Sequence, residues 1–420
     1  MLDVEFKRER DVLKLASRVA NNKIKIIAGL RRAGKSYLLD PLFKKYLMEN
    51  RGCIEENFEI KDFSKQDEIT SAEQFKTYLS GLIGKDSLKY IFLDEPQETG
   101  DQFAEVILKF HKMHPEYEIY ITGSNSKTLS DDIVNFFGDD GDPVFIESLP
   151  YVEIKTVFPK FSLDDYFKVG GLPVILIEET ETDRLDALKN LNHNLYVTDI
   201  QNRLAKANVL TKILPLEAES FLRGICLNLT SPASVSSIVS SCVAKGRANG
   251  NKERNAFSND CLSIFQEAEN SYFLYKYIYP CNKPSDRNPN AWESYQIKYY
   301  CYDIGLLRAM ANSQDIKGAA LENAVFLELH RRKIDARPYI EYDSKGNETK
   351  NIDFAFEFEG RNILLQVTYE INANNEEREV TNLLNISGNY EKYIVYVNNL
   401  LGQEAGITYL TADKFFINFL

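Results

Sequence analysis

The chain has 420 residues, with 50 Lys and Arg against 62 Asp and Glu, so its net charge is −12. Apolar residues make up 44% and charged residues 27%, which is typical of globular rather than disordered proteins. A chain of this length predicts about two to four domains. The negative balance excludes a protein that coats nucleic acid over its whole surface, because phosphate binding needs clustered Lys and Arg, but it leaves room for one basic face.

Several other classes are excluded by what the sequence lacks. No stretch of about 18 uncharged apolar residues is present, and charges run through the N-terminal segment, so we expect neither a membrane span nor a secretion signal. The six cysteines contain no CxxC pair and the four histidines no HExxH-like set, which disfavours a disulfide framework and a zinc site. We therefore expect a cytoplasmic protein.

The first 150 residues alternate between predicted helices and strands. Apolar runs of strand length predict strands over 23–28, 58–60, 90–93, 119–122 and 144–146. Helical spacing of apolar residues predicts helices over 8–21, 36–49 and 103–113. This alternation indicates an α/β fold with a parallel sheet and helices on both of its faces.

The rest of the chain has a different pattern. Residues 151–206 are predicted to be helical, with a break at Gly-Gly-Leu-Pro 170–173, and helices with small polar turns continue to an aromatic run near 272–279. A helix over 321–332 then precedes strands predicted at 353–358, 363–369 and 393–397. The polar stretch 245–254 predicts a loop or wing.

Residues 29–36, Gly-Leu-Arg-Arg-Ala-Gly-Lys-Ser, fit the pattern GxxxxGK[ST] between a predicted strand and a predicted helix. Glycines let the backbone wrap round phosphates with its N–H groups turned inward, and the following helix points its positive end at the same anion. We expect Lys35 to reach the β- and γ-phosphates and the Ser36 hydroxyl to bind Mg²⁺. The predicted nucleotide contacts are Gly29, Arg31, Arg32, Ala33, Gly34, Lys35, Ser36 and Tyr37.

A second motif, Tyr-Ile-Phe-Leu-Asp-Glu at 90–95, is an apolar strand that ends in two carboxylates. In a parallel sheet that end faces the ligand crevice. Asp94 is predicted to bind Mg²⁺ through its hydration shell and Glu95 to polarise the attacking water. The sequence has no NKxD guanine motif, which favours ATP over GTP.

A third motif, Ile-Tyr-Ile-Thr-Gly-Ser-Asn-Ser at 119–126, is another strand followed by small polar residues. Such residues suit a sensor that hydrogen-bonds the γ-phosphate or the attacking water. Ser124 and Asn125 are the preferred candidates and Thr122 is the third. A plain polar turn is the alternative interpretation.

The order of these motifs resembles that of bacterial and archaeal AAA-type ATPases that carry a C-terminal domain of unknown function. The resemblance continues in the later segments YFKVGGLP, YVTDI, KYYCYDIGLL, LENAVFLELHRR, IDF and LLQVTYE. It implies four parts and the cofactors ATP and Mg²⁺. The parts are a P-loop NTPase core over 1–150, a helical lid over 151–206, a winged-helix-like segment over 207–310 and an α/β restriction-nuclease-like domain over 311–420.

Two departures from that family bear on catalysis. Pro96 stands where members usually have Ile, and an acid stands near Asp140, within 137–142, where members often have an Arg. An arginine there could stabilise the transferring phosphoryl group, an effect that is large in arginine-finger enzymes. We therefore expect slow or partner-stimulated ATP turnover. Arg31 and Arg32 either compensate in part for the missing arginine or are simply solvated.

The nuclease-like signature needs two acids for Mg²⁺ and a Lys to help activate water. The matching residues are Glu322 on a helix, Asp353 at the start of a strand, and Gln366 with Thr368 on the next strand. Gln366 lacks the charge to hold a metal firmly, and Thr368 lacks the amine. The sequence predicts a degenerate site, with an active nuclease as the less favoured alternative.

A winged-helix candidate spans about 216–279, with a first helix over 231–242 and a recognition helix over 255–270. Its turn carries four basic residues against Glu253 alone, and these are the predicted DNA contacts: Lys245, Arg247, Lys252 and Arg254. An exposed basic loop is the alternative. The aromatic run that follows is expected to pack a core rather than to stack on bases.

Two hypotheses about function remain open. The first is an ATP-dependent switch whose partner is DNA or another protein. The second is a nucleotide-stabilised protein-interaction module with little catalysis. The sequence leaves the oligomeric state open.

Overall fold

The structure is a computed structural model that describes all residues except 1, 3, 66–68, 124–130, 231–250, 282–293, 313–315, 344–346, 373–374, 399–402 and 420. The chain forms two compact units. The first unit contains Met1–Leu149, Leu172–Glu179 and Asn270–Tyr272, and the second unit contains the remainder. The predicted division into four parts stays a prediction.

A five-stranded parallel sheet forms the centre of the first unit. Its strands, in the spatial order β2-β3-β4-β1-β5, confirm the predicted parallel α/β sheet. Each of the five predicted strands is present, most of them one to three residues longer than predicted. The strands are β1 (Ile24–Gly29), β2 (Phe58–Asp62), β3 (Tyr90–Asp94), β4 (Glu118–Thr122) and β5 (Gly141–Ile146).

The helices of this part are α1 (Glu9–Ala16), α2 (Lys35–Tyr37), α3 (Lys44–Arg51), α4 (Ala72–Ser80), α5 (Phe103–Met113) and α6 (Asp131–Phe137). Helix α5 has its predicted bounds. The single helix predicted over 36–49 is wrong, because the chain leaves helical geometry at Asp40, with φ −130° and ψ 113°. Asp40 precedes Pro41, whose ring pushes the preceding residue into extended conformations, so α2 and α3 are separate helices.

The period of two along each strand sorts side chains between the two faces of the sheet. Ile24, Ile26 and Ala28 of β1 belong to one apolar core with α4 and α5. On the opposite face, Phe43 packs on Phe92 and Tyr120. Helices therefore cover both faces, as the strand and helix alternation predicts.

A lysine is buried on the face of the sheet that Phe43 covers. Lys25 in β1 is fully buried, and its Nζ lies 2.9 Å from Oε2 of Glu118 in β4. Glu118 also accepts a hydrogen bond from the backbone N–H of Ala20 at 2.8 Å. The pair joins β1 and β4 near the amino-terminal ends of these two strands.

The second unit begins with a helical part. The helices from residue 151 onward are α7 (Tyr151–Val157), α8 (Leu163–Val169), α9 (Pro173–Leu176), α10 (Glu181–Leu191), α11 (Thr198–Ala207), α12 (Ala218–Leu227) and α13 (Asn251–Asn270). Helix α9 belongs to the first unit. The break predicted at Gly-Gly-Leu-Pro is confirmed, because α8 ends at Val169 and α9 begins at Pro173.

The second unit also contains two sheets. An antiparallel hairpin pairs β6 (Leu274–Cys281) with β7 (Ser294–Cys301). A mixed sheet has the order β12-β11-β10-β9-β8. Its strands are β8 (Arg337–Tyr342), β9 (Glu348–Phe358), β10 (Arg361–Thr368), β11 (Glu391–Tyr396) and β12 (Thr408–Thr411). The remaining helices are α14 (Ile304–Ala311), α15 (Lys317–Arg331), α16 (Asn382–Leu384) and α17 (Ala412–Asn418).

Two sequence predictions for this unit have clear outcomes. The aromatic run packs a core, as predicted: Tyr275 and Tyr277 of β6 and Tyr300 of β7 surround Phe326 of α15. The loop predicted to extend to residue 254 is wrong at its end, because α13 already begins at Asn251. The helix predicted over 231–242 lies outside the described residues.

Among the described residues, no helix is both long enough and apolar enough to cross a membrane.

We expect Lys25→Met to lower the free energy of unfolding by about 3–5 kcal/mol, because removing one partner of a buried ion pair leaves an uncompensated charge. The measurement is urea-induced unfolding followed by circular dichroism. Lys109→Met is the matched control: Lys109 pairs with Glu105 on the surface of α5 at 2.5 Å, and exposed pairs contribute about 0–1 kcal/mol. Equal effects for the two variants would contradict the prediction.

Candidate functional site

Three parallel strands of the first unit end side by side. Strand β1 ends at Gly29, β3 at Asp94 and β4 at Thr122. Thr122 is in register with Asp94 on one side and with Ile27 on the other, so β4 lies between the strand that leads into the glycine-rich loop and the strand that carries the two acids. The sheet thus places the three predicted motifs at one edge, where ligands bind in open parallel sheets.

The loop that follows β1 has a backbone that requires glycine at two positions. Gly29 has φ +140°, and a Cβ built on it would lie 2.0 Å from the carbonyl oxygen of Ile146 in β5. Gly34 has φ +85°, in the left-handed region that favours glycine. Arg32 also adopts a positive φ, 63°, without being glycine. This geometry gives the predicted phosphate loop its sharp turn from strand to helix.

The lysine of the motif is held inside this loop. Lys35 is 6% exposed, and its Nζ donates hydrogen bonds to the carbonyl oxygens of Gly29 at 3.1 Å and Leu30 at 2.8 Å. Burial lowers the pKa of Lys35 to about 8, although Glu95 and Asp94 act in the opposite direction. A buried ammonium held by two carbonyls is suited to exchange these partners for phosphate oxygens.

Asp94 connects the glycine-rich loop with the third motif. Its carboxylate accepts hydrogen bonds from the hydroxyls of Ser36 and Thr122. Burial raises the pKa of Asp94, while both hydroxyls lower it. Hard oxygen ligands of this kind fit Mg²⁺, which is usually held by one or two carboxylates together with substrate phosphates and water. Ser36 and Asp94 are therefore brought together as a metal site would need.

Glu95 is oriented by a residue that the sequence analysis did not single out. The side-chain amide of Gln97 donates a hydrogen bond to Oε2 of Glu95. The backbone N–H of Glu95 bonds to the carbonyl oxygen of Thr122 at 3.0 Å, and Glu95 has φ +53°. No local pattern in the sequence indicates this contact, because the turn that returns Gln97 towards Glu95 depends on the left-handed backbone of Glu95.

The other predicted contacts have different positions. Arg31 is half-buried, Arg32 is exposed, and Tyr37 is 43% exposed. Ser124 and Asn125, the preferred sensor candidates, lie outside the described residues. Thr122, the third candidate, contacts Asp94. The sequence analysis also missed Arg8, whose guanidinium bonds to the carbonyl oxygen of Ala33 in the loop.

The second unit brings the three residues of the predicted degenerate site together. Val367 N–H donates to Oδ2 of Asp353 at 2.8 Å, and the backbone N–H of Asp353 donates to Oε1 of Gln366 at 3.3 Å. Burial, and then the charge of Glu322, raise the pKa of Asp353. Asp353 was predicted at the start of a strand, which is wrong, because β9 already begins at Glu348.

Two further charged residues complete this polar cluster. Lys298 of β7 is almost fully buried, and its Nζ lies 3.0 Å from Oε1 of Glu322. Glu379 is also buried and accepts a hydrogen bond from Nε2 of Gln366 at 2.7 Å. Lys298 thus supplies an ammonium that Thr368 of β10 does not. Among the described residues, no three His, Cys, Asp or Glu side chains are arranged to hold a metal ion.

The predicted DNA contacts are only partly described. Lys245 and Arg247 lie outside the described residues. Lys252 and Arg254 lie in the first turn of α13. Their backbone is helical and not part of the predicted loop.

Comparisons with known proteins agree with the geometry of the first unit. Residues 21–153 match a family model described as an AAA domain. The chain is 28% identical to an uncharacterized protein of Methanocaldococcus jannaschii over 86% of this chain and 77% of that protein. It is 26% identical to an uncharacterized protein of Haemophilus influenzae over 89% of this chain and 88% of that one. The similarity therefore extends well beyond the matched segment.

A solved structure was also found, that of a DNA polymerase III gamma subunit-related protein of Thermotoga maritima. It covers 62% of this chain and 99% of its own, with 13% identity and a TM-score of 0.27, a similarity too slight to support a conclusion. The AAA match and the five-stranded parallel sheet with its glycine-rich loop support an AAA-type P-loop module.

We expect Lys35→Met to stabilise the nucleotide-free protein at pH 7. The pKa of Lys35 is about 8 in the folded protein, against an ordinary value of 10.5. The unfolded chain therefore binds the proton more tightly, and the charged lysine lowers the free energy of unfolding at pH values below 8. The gain is about 1–3 kcal/mol at neutral pH.

That gain should shrink as the pH rises from 8 towards 10.5, where the unfolded lysine also loses its proton. Urea unfolding at pH 7, 8 and 9 measures it. Lys45→Met, which removes an exposed lysine of α3, should change the free energy of unfolding by less than about 0.5 kcal/mol at each pH. A pH-independent difference for Lys35→Met would contradict the prediction.

We expect Lys298→Met to lower the free energy of unfolding by about 3 kcal/mol at pH 7, because it leaves Glu322 and Asp353 without their buried counter-charge. The loss should be smaller at pH 5. Without Lys298 the pKa of Asp353 rises further, so the folded state gains stability as the pH falls through that raised value. Urea unfolding at both pH values measures it, with exposed Lys276→Met on β6 as the control.

Proposed function

We propose that this chain is a Mg²⁺-dependent ATPase that acts as a molecular switch, with slow turnover until a partner binds. The observation that carries the proposal is the meeting of three groups at one edge of the first unit's sheet. These groups are the buried Lys35 in its glycine-rich loop, the hydrogen-bonded pair Ser36 and Asp94, and Glu95 held by Gln97. The AAA match over 21–153 supports nucleotide binding at this edge.

Each group has a distinct role in the proposal. Lys35 exchanges its two carbonyl partners for oxygens of the β- and γ-phosphates. Ser36 and Asp94 would hold Mg²⁺, which neutralises charge on the phosphate oxygens when it is bound. Glu95 polarises a water molecule for attack on the γ-phosphorus, and Gln97 keeps its carboxylate oriented towards the crevice. The hydroxyl of Thr122 donates a second hydrogen bond to the Asp94 carboxylate and so fixes its orientation.

Slow turnover is supported by the charges near β5. Asp140 stands in the segment where an arginine would be expected, and it pairs with Lys112 of α5 at 2.9 Å. This pair is exposed, so it offers no buried positive charge to a transferring phosphoryl group. An arginine supplied by a partner raises turnover by about 10³–10⁵ in related phosphoryl-transfer enzymes, which is why we propose stimulation by a partner.

We further propose DNA as that partner and the segment 207–310 as its contact. Helices α12 and α13 followed by the β6–β7 hairpin give the order of elements that a winged helix needs. Helix α15 packs on β10 of the mixed sheet, as in the proposed nuclease-like fold. Pairing of Lys298 with Glu322 supports a fold that no longer cleaves DNA.

The test is phosphate release by the full chain with MgATP, alone and with single- or double-stranded DNA. We expect the wild type alone to turn over at roughly 10⁻⁴–10⁻² s⁻¹, between the rate of a GTPase without a partner's arginine and that of one with its own arginine in cis. Glu95→Gln should still bind ATP but release phosphate at least about 100-fold more slowly, because it loses the group that activates water.

Glu98→Gln is the matched control, since Glu98 is an exposed glutamate three residues away and should behave as the wild type. If wild type and Glu95→Gln release phosphate equally, the enzyme proposal is wrong and a nucleotide-stabilised interaction module remains. If turnover is catalytic but unchanged by DNA, the DNA part of the proposal is wrong and a protein partner is indicated.

A further inference from the structure

The N-terminal segment of the first unit contains a buried arginine that contacts the phosphate loop. Arg8 is 2% exposed and directly precedes α1. Its Nη1 donates to the carbonyl oxygen of Ala33 at 2.6 Å, and its Nη2 donates to the carbonyl oxygen of Glu147 at 2.8 Å. The guanidinium therefore joins the loop to the chain that leaves β5.

Asp11 fixes the orientation of this guanidinium. Its Oδ2 accepts from Nε of Arg8 at 2.9 Å and from Nη2 at 2.6 Å, which is a two-pronged contact within the first turn of α1. Planar contacts of this kind restrict an arginine far more than a single point contact does. The pKa of Asp11 is lowered: burial acts to raise it, but Arg8 and Lys14 outweigh that effect.

The backbone at Arg8 is also unusual. It has φ 47° and ψ 38°, a left-handed conformation that is uncommon for residues other than glycine, asparagine and aspartate. Such conformations cost free energy and persist where surrounding contacts enforce them. Here the side chain's bonds to Asp11, Ala33 and Glu147 are the contacts that hold it.

The bond to the Ala33 carbonyl also fixes the direction of the backbone N–H of the next residue, Gly34. In a trans peptide, the carbonyl of one residue and the N–H of the next point in opposite directions. Because Arg8 holds the Ala33 carbonyl on its own side, the N–H of Gly34 is turned to the other side. Gly34 lies close enough that a Cβ built on it would be 3.9 Å from Nη1 of Arg8.

We propose that Arg8 is a positioning residue of the phosphate site: it fixes the Ala33–Gly34 peptide so that the Gly34 N–H is preset to bind the polyphosphate of a nucleoside di- or triphosphate. This inference rests on the proposed nucleotide binding. A charged donor on the Ala33 carbonyl also polarises that peptide and makes its N–H a stronger donor. Arg8 further adds fixed positive charge near Lys35, on which it acts electrostatically.

The test compares Arg8→Gln with Arg10→Gln in the full chain. Arg10 is an exposed arginine two residues away, so the control removes the same charge without touching the loop. Calorimetry with MgADP should show binding about tenfold weaker for Arg8→Gln, the effect of losing a hydrogen bond to a charged group, and unchanged for Arg10→Gln. AMP, whose single phosphate makes fewer loop contacts, should lose much less affinity than ADP.

Hydrogen exchange of the nucleotide-free protein separates this inference from the proposed function. The amides of residues 33–36 should exchange faster in Arg8→Gln than in the wild type or in Arg10→Gln. If the wild type binds no nucleotide, the proposed function fails, while faster exchange at these amides still supports positioning by Arg8. Unchanged exchange together with unchanged ADP binding in Arg8→Gln would overturn the inference.

Two other variants keep the test decisive if Arg8→Gln does not fold. Arg8→Lys keeps the charge but loses the planar fork, and should show a smaller loss of ADP affinity. Asp11→Asn leaves Arg8 in place but weakens its anchor, and should also show a partial loss. Wild-type affinity and exchange in both variants would overturn the inference.

Discussion

The proposed phosphate site depends on the close approach of two parallel strands where they end. Gly29 lies so near the Ile146 carbonyl that no side chain fits between them. This contact sets the direction in which the chain leaves β1, and hence the position of Ala33, Gly34 and Lys35. It also places the carbonyl group of Glu147, the residue that follows β5, within hydrogen-bonding distance of Arg8. A single steric constraint therefore aligns the loop, its lysine and the arginine beneath it.

Buried lysines appear three times in the described residues, and each is stabilised in a different way. Lys25 is paired with Glu118 inside the sheet, and Lys298 with Glu322 in the second unit. Lys35 is hydrogen-bonded to two neutral carbonyls, which compensate a buried charge less completely than a carboxylate at contact distance does. The first two are suited to hold structure together. Burying the charge of Lys35 without a carboxylate partner costs free energy. An anionic ligand would remove that cost, as expected of a group that binds a ligand.

The sequence predicted those parts of the fold and the site that depend on local patterns. Five strands, the helix 103–113 and the residues of the glycine-rich loop follow from periodicity and spacing alone. The break at Asp40 was also visible in the sequence, because Pro41 stands inside the predicted helix, but apolar spacing outweighed it. Such predictions succeed where the residues that determine an element lie within that element.

Arg8, Gln97 and Lys298 could not be found in this way. Arg8 acts through carbonyls 25 and 139 residues away, and backbone carbonyls leave no mark in a sequence. Lys298 reaches Glu322 from a separate hairpin, and only the packing of β7 against α15 brings the two side chains together. Gln97 is close in sequence to Glu95, but the turn that joins them depends on the left-handed backbone of Glu95.

The ion pair between Lys298 and Glu322 also has a mechanical consequence. It joins the hairpin to the helix that opens the C-terminal part, and it does so inside the protein, where separating the charges costs several kcal/mol. A bend between these two segments would have to break that pair. The hairpin and α15 are therefore held to one another by a buried ion pair, and a change of shape in this unit that keeps the pair intact must take place elsewhere.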